Sequence, residues 1–406
     1  MLQQTFARDR SPMSVGIDLR SLTEPYLRGF ARYTLEITNA LAALPGLIVT
    51  GFTDHELAHE ISIRTVRYEG KREVVREQWL LPRLLARERI DVFLCPANRG
   101  LPFAAPCPTV LTLHDAVEWD SSLAEPAHGK SRLRFIYASV ASLAGSSLIL
   151  TVSRSSAGEI ERRLGVAPWR LRPVHEAASA RFCPDPSPDD ERVRGELGIG
   201  GEYVLYVGGF DKKKNLATLI RAFALLQDLP NLDLVIAGKQ GPEAELVVHV
   251  ANDLLVGGRV RFLGYVPEES LPALYRGARC FAFPALAEGF GLPAVEAMAC
   301  ATPVVGVAAG SLPEVIADGG QLVRPRDPIA LSTVLRRVLT DDVERDHWSR
   351  AAKARAAAFS WERTAQLTES VLREAAAEPR ARACARRVAR IPRTLARCVS
   401  PFAPLS

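Results

Sequence analysis

The chain has 406 residues, 48% of them hydrophobic and 24% charged, which is material for two or three domains of ordinary size and the balance of a globular protein. No apolar run approaches the roughly 18 residues of a bilayer-spanning helix, and the opening MLQQTFARDRSPMSVGIDLR lacks the apolar core of a signal peptide, so neither a membrane span nor export is expected. The net charge of +5 is uneven: residues 379–406 carry seven arginines and no carboxylate, so the remainder is net negative, which argues against a general nucleic-acid surface.

Residues 1–13 read as a loose extension, because strand-like sequence begins at Ser14. SVGIDLR is a strand, followed by a helical pattern over residues 32–41. DVFLCP, TVLTLHD and SSLILTVS are further strands, each ending in a polar or turn residue. Near-continuous apolar strands alternating with helices imply a parallel sheet covered on both faces, here over residues 14–183. The pattern breaks at FCPDPSPDDE, and residues 184–198 read as a linker. It restarts over residues 199–360, with YVLYVGG, LDLVIAG, VRFLG, CFAFPA and TPVVGV as strands and helices such as 216–227 and 269–277 between them. FSWERTAQLTESVLREA gives a final amphipathic helix over residues 361–378, and a basic tail fills 379–406. The fold class is therefore α/β, two Rossmann-like doubly wound domains. Ligands of such sheets bind beyond the carboxyl ends of the strands, in this case in the cleft between the domains.

The seven cysteines, Cys95, Cys107, Cys183, Cys280, Cys300, Cys384 and Cys398, show no paired spacing. They imply a reducing compartment, small buried side chains and no zinc site. No acidic pair suited to a metal follows a strand, so no metal is expected. No G-x-G-x-x-G opens the first βα unit, which argues against a pyridine-dinucleotide oxidoreductase.

Two stretches carry candidate chemistry. In YVGGFDKKKNL a strand ends in two glycines, three lysines follow, and a helix opens at Asn215; backbone amides and cations so placed attract an anion, although a tight turn with solvated lysines reads equally well. In EGFGLPAVEAMA, Gly289 and Gly291 flank Phe290 ahead of a helix expected near Ala294, and Glu288 and Glu296 stand at the two ends of an apolar segment. A buried carboxylate costs several kcal/mol unless it is paired. Glu296 reads as an acid in the first helical turn or as an acceptor for a ribose diol. Glu288 has no such local explanation and points to function.

The spacing of Glu288 and Glu296, preceded by strand–proline and followed by TPVV, resembles the retaining glycosyltransferases of family four. Other stretches match in order: IDLRSLTEPYLRGFARY, with Gly29 facing the donor phosphates in the family; TLHD, whose His114 faces the donor sugar; TVSRSSAGEIERRLGV; YVGGFDKKKNL, with Lys214 at the phosphate-binding lysine; and AAGSLPEVIADGGQLVRPRD. The resemblance runs from about residue 14 to 374. It implies the GT-B architecture, two Rossmann-like domains facing a central cleft, with the helix at Trp361 crossing back to the first domain. It also implies Glu288, His114 and Lys214 as catalytic groups, with Gly29, Gly209, Lys213, Gly289, Phe290, Gly291, Leu292 and Glu296 around the donor, the two acids being satisfied by that ligand.

Two departures stand out. The arginine that the family often carries five residues before the phosphate lysine is Gly209 here, with Lys212 or Lys213 as substitutes. The family's Pro-Asn-Gly turn is replaced by VHEAASARF, with His175 and Glu176. The implied reaction is metal-independent transfer, with retention, of a hexose such as mannose. Its donor is a nucleotide-diphospho-sugar, its acceptor a glycan or lipid-linked molecule of cell-surface polysaccharide or glycolipid synthesis, and no further cofactor is called for. The alternatives are a nucleotide-sugar 2-epimerase of the same fold and a catalytically silent nucleotide-sugar-binding subunit. The expected place is the cytoplasm. The basic apolar stretches 71–90 and 379–399 open an anionic membrane surface on the inner face as a further partner, and for the tail a solvated segment is the equal alternative.

Overall fold

The computed structural model describes residues 12–27, 29–70, 72–120, 122–123, 129–378 and 380–399. The expected loose extension therefore lies almost wholly outside the described residues. The first sheet consists of β1 (Met13–Asp18), β2 (Leu47–Thr53), β3 (Arg64–Arg67), β4 (Val92–Cys95), β5 (Thr109–Leu113), β6 (Leu148–Thr151) and β7 (Leu171–Pro173). The second consists of β8 (Glu202–Val207), β9 (Leu232–Ala237), β10 (Val260–Gly264), β11 (Cys280–Phe283), β12 (Val304–Val307) and β13 (Gly320–Val323). The orders are β3-β2-β1-β4-β5-β6-β7 and β10-β9-β8-β11-β12-β13, with every pairing parallel.

The strand sequences explain this choice. In β4, β5, β6, β11 and β12 every residue is buried, as strands covered on both faces must be. Alternate residues then serve opposite cores: Val92, Leu94 and Val110 face one hydrophobic cluster, whereas Phe93, Cys95 and Leu111 face the other. In each sheet the order reverses between two neighbours, β1 and β4 in the first and β8 and β11 in the second. Loops leaving such neighbours diverge and open a crevice at the carboxyl ends of the strands.

The helices that position the crevice are α1 (Gly29–Ala42), α2 (Gly129–Gly145), α3 (Arg154–Leu164), α4 (Leu216–Ala224), α5 (Leu292–Ala299) and α6 (Leu312–Ile316). Helix α5 starts two residues earlier than expected, with Pro293 in its first turn, where a missing N–H costs nothing. The helix expected over 269–277 begins at Leu271, again with a proline, Pro272, at its start. Helix α7 (Trp361–Ala376), although encoded after the second sheet, packs on α1, β4, β5 and β6. Its Ala365, Val371, Leu372 and Ala375 share a core with Ile17, Ile37 and Leu94 of the first domain. Ser360 caps it by accepting from the Arg363 amide.

The tail is not a solvated segment. Residues Arg380–Val399 form α8, which lies against α2 and α3. Arg387 is buried and donates to the carbonyls of Phe103, Ala105 and Cys107 at 3.1–3.4 Å, and Arg390 donates to the Ser146 carbonyl at 2.6 Å. Cys398 is fully buried. The arginines thus neutralise backbone oxygens, among them a carbonyl just past the end of α2, where a helix carries partial negative charge.

Replacing Arg387 by Met keeps the aliphatic stem but removes donors to buried carbonyls. It should lower stability by about 1–3 kcal/mol, the cost of leaving buried acceptors unpaired. Arg393→Met, at an exposed position of the same helix, should stay within about 0.5 kcal/mol. Denaturant midpoints of the two variants check this.

Candidate active site

The loop after β8 and the loop after β11 flank the crevice of the second domain. A 3-10 turn, Lys212–Lys214, and a left-handed Asn215 (φ 54°) lead into α4. Asn215 Nδ2 donates to the Pro284 carbonyl at 3.2 Å and the Leu286 amide donates to the Lys213 carbonyl at 2.7 Å, so the two loops are fixed to each other. Gly291, the N-cap of α5, has φ 100°, a left-handed conformation that disfavours any side chain. At the start of α5 Pro293 carries no N–H and the Ala294 and Val295 amides donate to the Gly291 carbonyl at 2.9 and 3.3 Å, which leaves the Leu292 amide of that first turn for a ligand.

Each acid of the 288–296 segment has a protein partner, which corrects the expectation that the ligand alone satisfies them. Glu288 pairs with Lys214 Nζ, both side chains being largely buried. Glu296 is buried; one carboxylate oxygen meets Arg32 of α1 and the other accepts from the Tyr275 hydroxyl at 2.9 Å. Arg32 Nε also lies 3.2 Å from Glu268. Nor does the helix dipole explain Glu296, which is the fifth residue of α5 and lies beyond its first turn. The physical reason is the cost of a lone buried charge, which a cation from the facing domain removes. Burial, with Glu268 nearby, still raises the Glu296 carboxyl above the usual range, against the opposing effect of Arg32 and Tyr275. Lys213 reaches across the cleft to Asp115 at 3.5 Å. Burial disfavours its ammonium, but Asp115, Glu288 and Asp211 outweigh burial and raise its pKa.

The remaining expected residues fall in three places. His114 follows β5 and is buried; Nε2 lies 2.9 Å from the Pro96 carbonyl oxygen and Nδ1 lies 3.1 Å from Glu176 Oε1. Gly289 belongs to the seam between the domains: its carbonyl accepts from the Ser153 and Ser156 hydroxyls at 2.6 and 2.8 Å, and a Cβ there would overlap the His114 carbonyl oxygen. Phe290 packs into the same seam against Phe359 and His175, and Leu292 is buried at the start of α5. Gly209 sits beside Asp211, its carbonyl accepting from the Tyr206 hydroxyl at 3.0 Å. Lys212 is exposed, so of the two substitutes for the missing arginine only Lys213 faces the cleft. Gly29 is exposed at the start of α1, with no atom within 4 Å of where a Cβ would stand.

Arg32, Asp115, Glu268, Tyr275 and Glu314 belong to this network without having been singled out. Glu314 of α6 accepts from the Arg154 and Ser155 amides, both at 3.0 Å, at the start of α3, and from His175 Nε2 at 2.6 Å. Against burial, which favours the neutral acid, His175 and the two amides hold Glu314 below the usual carboxylate range. Arg20 pins the first loop from outside this network, binding Asp18 and Glu77 at 2.6 Å and the Gly100 carbonyl at 2.7 Å.

Two parallel sheets with their carboxyl ends across one cleft, and crevice loops carrying glycines, lysines and paired acids, define a GT-B protein. Residues 189–355 match the family described as glycosyl transferases group 1, and residues 27–178 match that described as Glycosyltransferase Family 4. The chain belongs to family four of the glycosyltransferases. It is 36% identical over 239 residues to O-antigen chain mannosyltransferase B of Escherichia coli, covering 58% of this chain and 63% of that one. It is 38% identical over 248 residues to D-inositol 3-phosphate glycosyltransferase of Salinispora tropica, covering 57% and 51%. The chain thus spans between half and two thirds of the length of these curated relatives. The HepE protein of Anabaena, solved in complex with UDP and glucose, shares the fold with a TM-score of 0.71 at 20% identity over 89% of this chain and 99% of that one.

Because Gly289 touches the facing domain through its backbone, Gly289→Ala should hold the domains apart. The radius of gyration from small-angle X-ray scattering should increase, while the helix signal in circular dichroism stays that of the parent.

Proposed function

We propose that the protein transfers a hexose, mannose being the first candidate, from a nucleotide-diphospho-sugar to a glycan or lipid-linked acceptor, with retention and without a metal or further cofactor. The observation that carries this reading is the Lys214–Glu288 pair at the crevice between β8 and β11. A lysine and a helix start on one side, and a carboxylate able to accept from sugar hydroxyls on the other, are what a diphospho-sugar requires. The mannosyltransferase relative supports mannose, and the UDP and glucose bound by HepE support a nucleotide donor.

In this mechanism Lys214, Lys213 and the Leu292 amide at the start of α5 hold the diphosphate, with Gly209 leaving room at the end of β8. Glu296 accepts from the ribose, and Glu288 holds hydroxyls of the sugar. As the glycosidic bond breaks, negative charge grows on the leaving phosphate, where Lys214 stabilises it. The acceptor proton passes to that leaving oxygen on the same face as attack. The separation typical of carboxylate pairs in double-displacement glycosidases is not required, because no covalent sugar–enzyme intermediate is invoked.

Lys214→Ala should weaken nucleoside diphosphate binding far more than binding of the free nucleoside, since only the former carries the charge; calorimetry with both ligands checks this. Glu296→Gln should chiefly raise the donor KM, as lost uniform binding does. Glu288→Gln should lower kcat by about 100-fold without weakening nucleoside diphosphate binding, because it removes the carboxylate that competes for Lys214. Diphosphate binding lost in Glu288→Gln but kept in Glu296→Gln would reverse these two roles. Release of nucleoside diphosphate only with acceptor present separates a transferase from an epimerase or a binding subunit.

We further propose that the protein works at the cytoplasmic face of a membrane. Within 71–90, Val74, Val75 and Trp79 are exposed, and Arg83 lies over the Trp79 ring. On neighbouring α2, Leu133 and Tyr137 are also exposed, and Arg134 of that helix pairs with Glu73. Trp79→Ser should reduce cosedimentation with anionic liposomes at low salt. Unchanged sedimentation would remove this surface from the proposal.

A further inference from the structure

The ring of His114 has both of its nitrogens engaged by the protein, and the identity of the partners fixes where its protons are. Nε2 faces the Pro96 carbonyl oxygen at 2.9 Å. A carbonyl only accepts, so Nε2 carries a proton. Nδ1 faces Glu176 Oε1 at 3.1 Å. An unprotonated Nδ1 opposite an ionised carboxylate would set lone pair against lone pair, so a further proton lies between them. Imidazolium with carboxylate and imidazole with carboxylic acid both satisfy the geometry, and both leave the pair with zero net charge. Zero net charge is what burial of the two side chains favours.

Glu176 is itself held firmly. It lies in the strap 174–182 that replaces the family's usual turn, between Val174 and Ala177, which are buried in the first domain's core. The Val174 amide donates to the Thr151 carbonyl at 2.8 Å, and Thr364 of α7 donates to the His175 carbonyl at 2.7 Å. The two consecutive side chains diverge: His175 reaches Glu314 of the second domain, and Glu176 reaches His114 of the first. The rings of Phe30 and Tyr33, both with centroids 4.8 Å away, pack against the His114 ring. The other charged groups close by are Asp115, next in the chain, and Lys213, which pairs with it from the second domain.

We propose that Glu176 is a positioning residue for His114, fixing its tautomer and ring plane and keeping the pair proton-loaded and net neutral beside the donor sugar. The last clause rests on the glycosyltransferase reading; the pairing itself does not. His114 then contacts the sugar as an oriented, neutral unit rather than through a free ring nitrogen. Charge and shape at that wall of the sugar subsite are set by residue 176, from an otherwise structural strap.

The test combines kinetics with histidine-selective 15N NMR on the full chain. Removing the partner that orients a functional histidine costs roughly 10- to 100-fold where such partners support metal ligands, and Glu176→Ala should lower kcat in that range with the donor KM within about twofold. Glu176→Gln should recover most of the loss, because its amide N–H donates to Nδ1 and preserves the Nε2–H tautomer in a neutral pair. In a His114→Ala background, Glu176→Ala should have no further effect on kcat. Wild-type spectra should show His114 protonated at Nε2, with the Nδ1 resonance changed in Glu176→Ala. Additive kcat losses in the double variant, a Gln variant as poor as Ala, or a wild-type Nδ1–H tautomer with Nε2 bare would overturn the proposal. If no variant, wild type included, turns over a nucleotide-sugar, the spectra still decide the pairing, and the failure belongs to the transferase reading.

Discussion

Charge buried in the cleft has to be matched by charge from within reach, and that requirement organises the molecule. Lys214 answers Glu288 within the second domain, Lys213 answers Asp115 across the cleft, and Arg32 answers both Glu268 and Glu296 from the far side. A cation confined among such carboxylates stays ionised and directed, so the groups suited to a diphosphate and a ribose are held in place by one another. Under the proposed function, an incoming anion would compete with Glu288 for Lys214 and leave that carboxylate available to sugar hydroxyls. The same exchange of partners that satisfies the protein would satisfy the ligand.

Short polar contacts join the two domains beside the packing of Phe290 on Phe359 and His175. The Gly289 carbonyl receives two serine hydroxyls from the start of α3, and Glu314 receives two amides from the same helix end. A helix N-terminus favours such negative groups. These contacts lie beside the crevice, so the geometry of the crevice and the separation of the domains are not independent. Residues His175 and Glu176 tie them together from the strap, one facing each domain.

Much of this was legible in the sequence, and the parts that were not share a cause. Continuous apolar runs disclosed the parallel sheets, and glycine–lysine and glycine–proline loops after strands disclosed the crevice. The partner of Glu296 was not legible, because Arg32 lies 264 residues earlier and nothing local marks it. For the same reason a dipole contact was read into a helix whose start was placed two residues late. The strap advertised its departure through His175 and Glu176 without revealing what they touch. The arginine-rich tail misled differently: its arginines bind backbone carbonyls, and carbonyls leave no trace in a sequence. Amphipathic spacing with seven arginines fits a solvated, a membrane-bound or a docked helix equally, and only the surface of α2 distinguishes them.

The central claim is that the crevice between β8 and β11 holds a diphosphate at Lys214 in place of Glu288. A crystal structure with bound nucleoside diphosphate tests it most directly. Phosphate oxygens are expected within hydrogen-bond reach of Lys214 Nζ and the Leu292 amide at the start of α5, with the ribose at Glu296 and Glu288 turned away from Lys214 towards the cleft. A diphosphate bound elsewhere, with Lys214 still paired to Glu288, would contradict it.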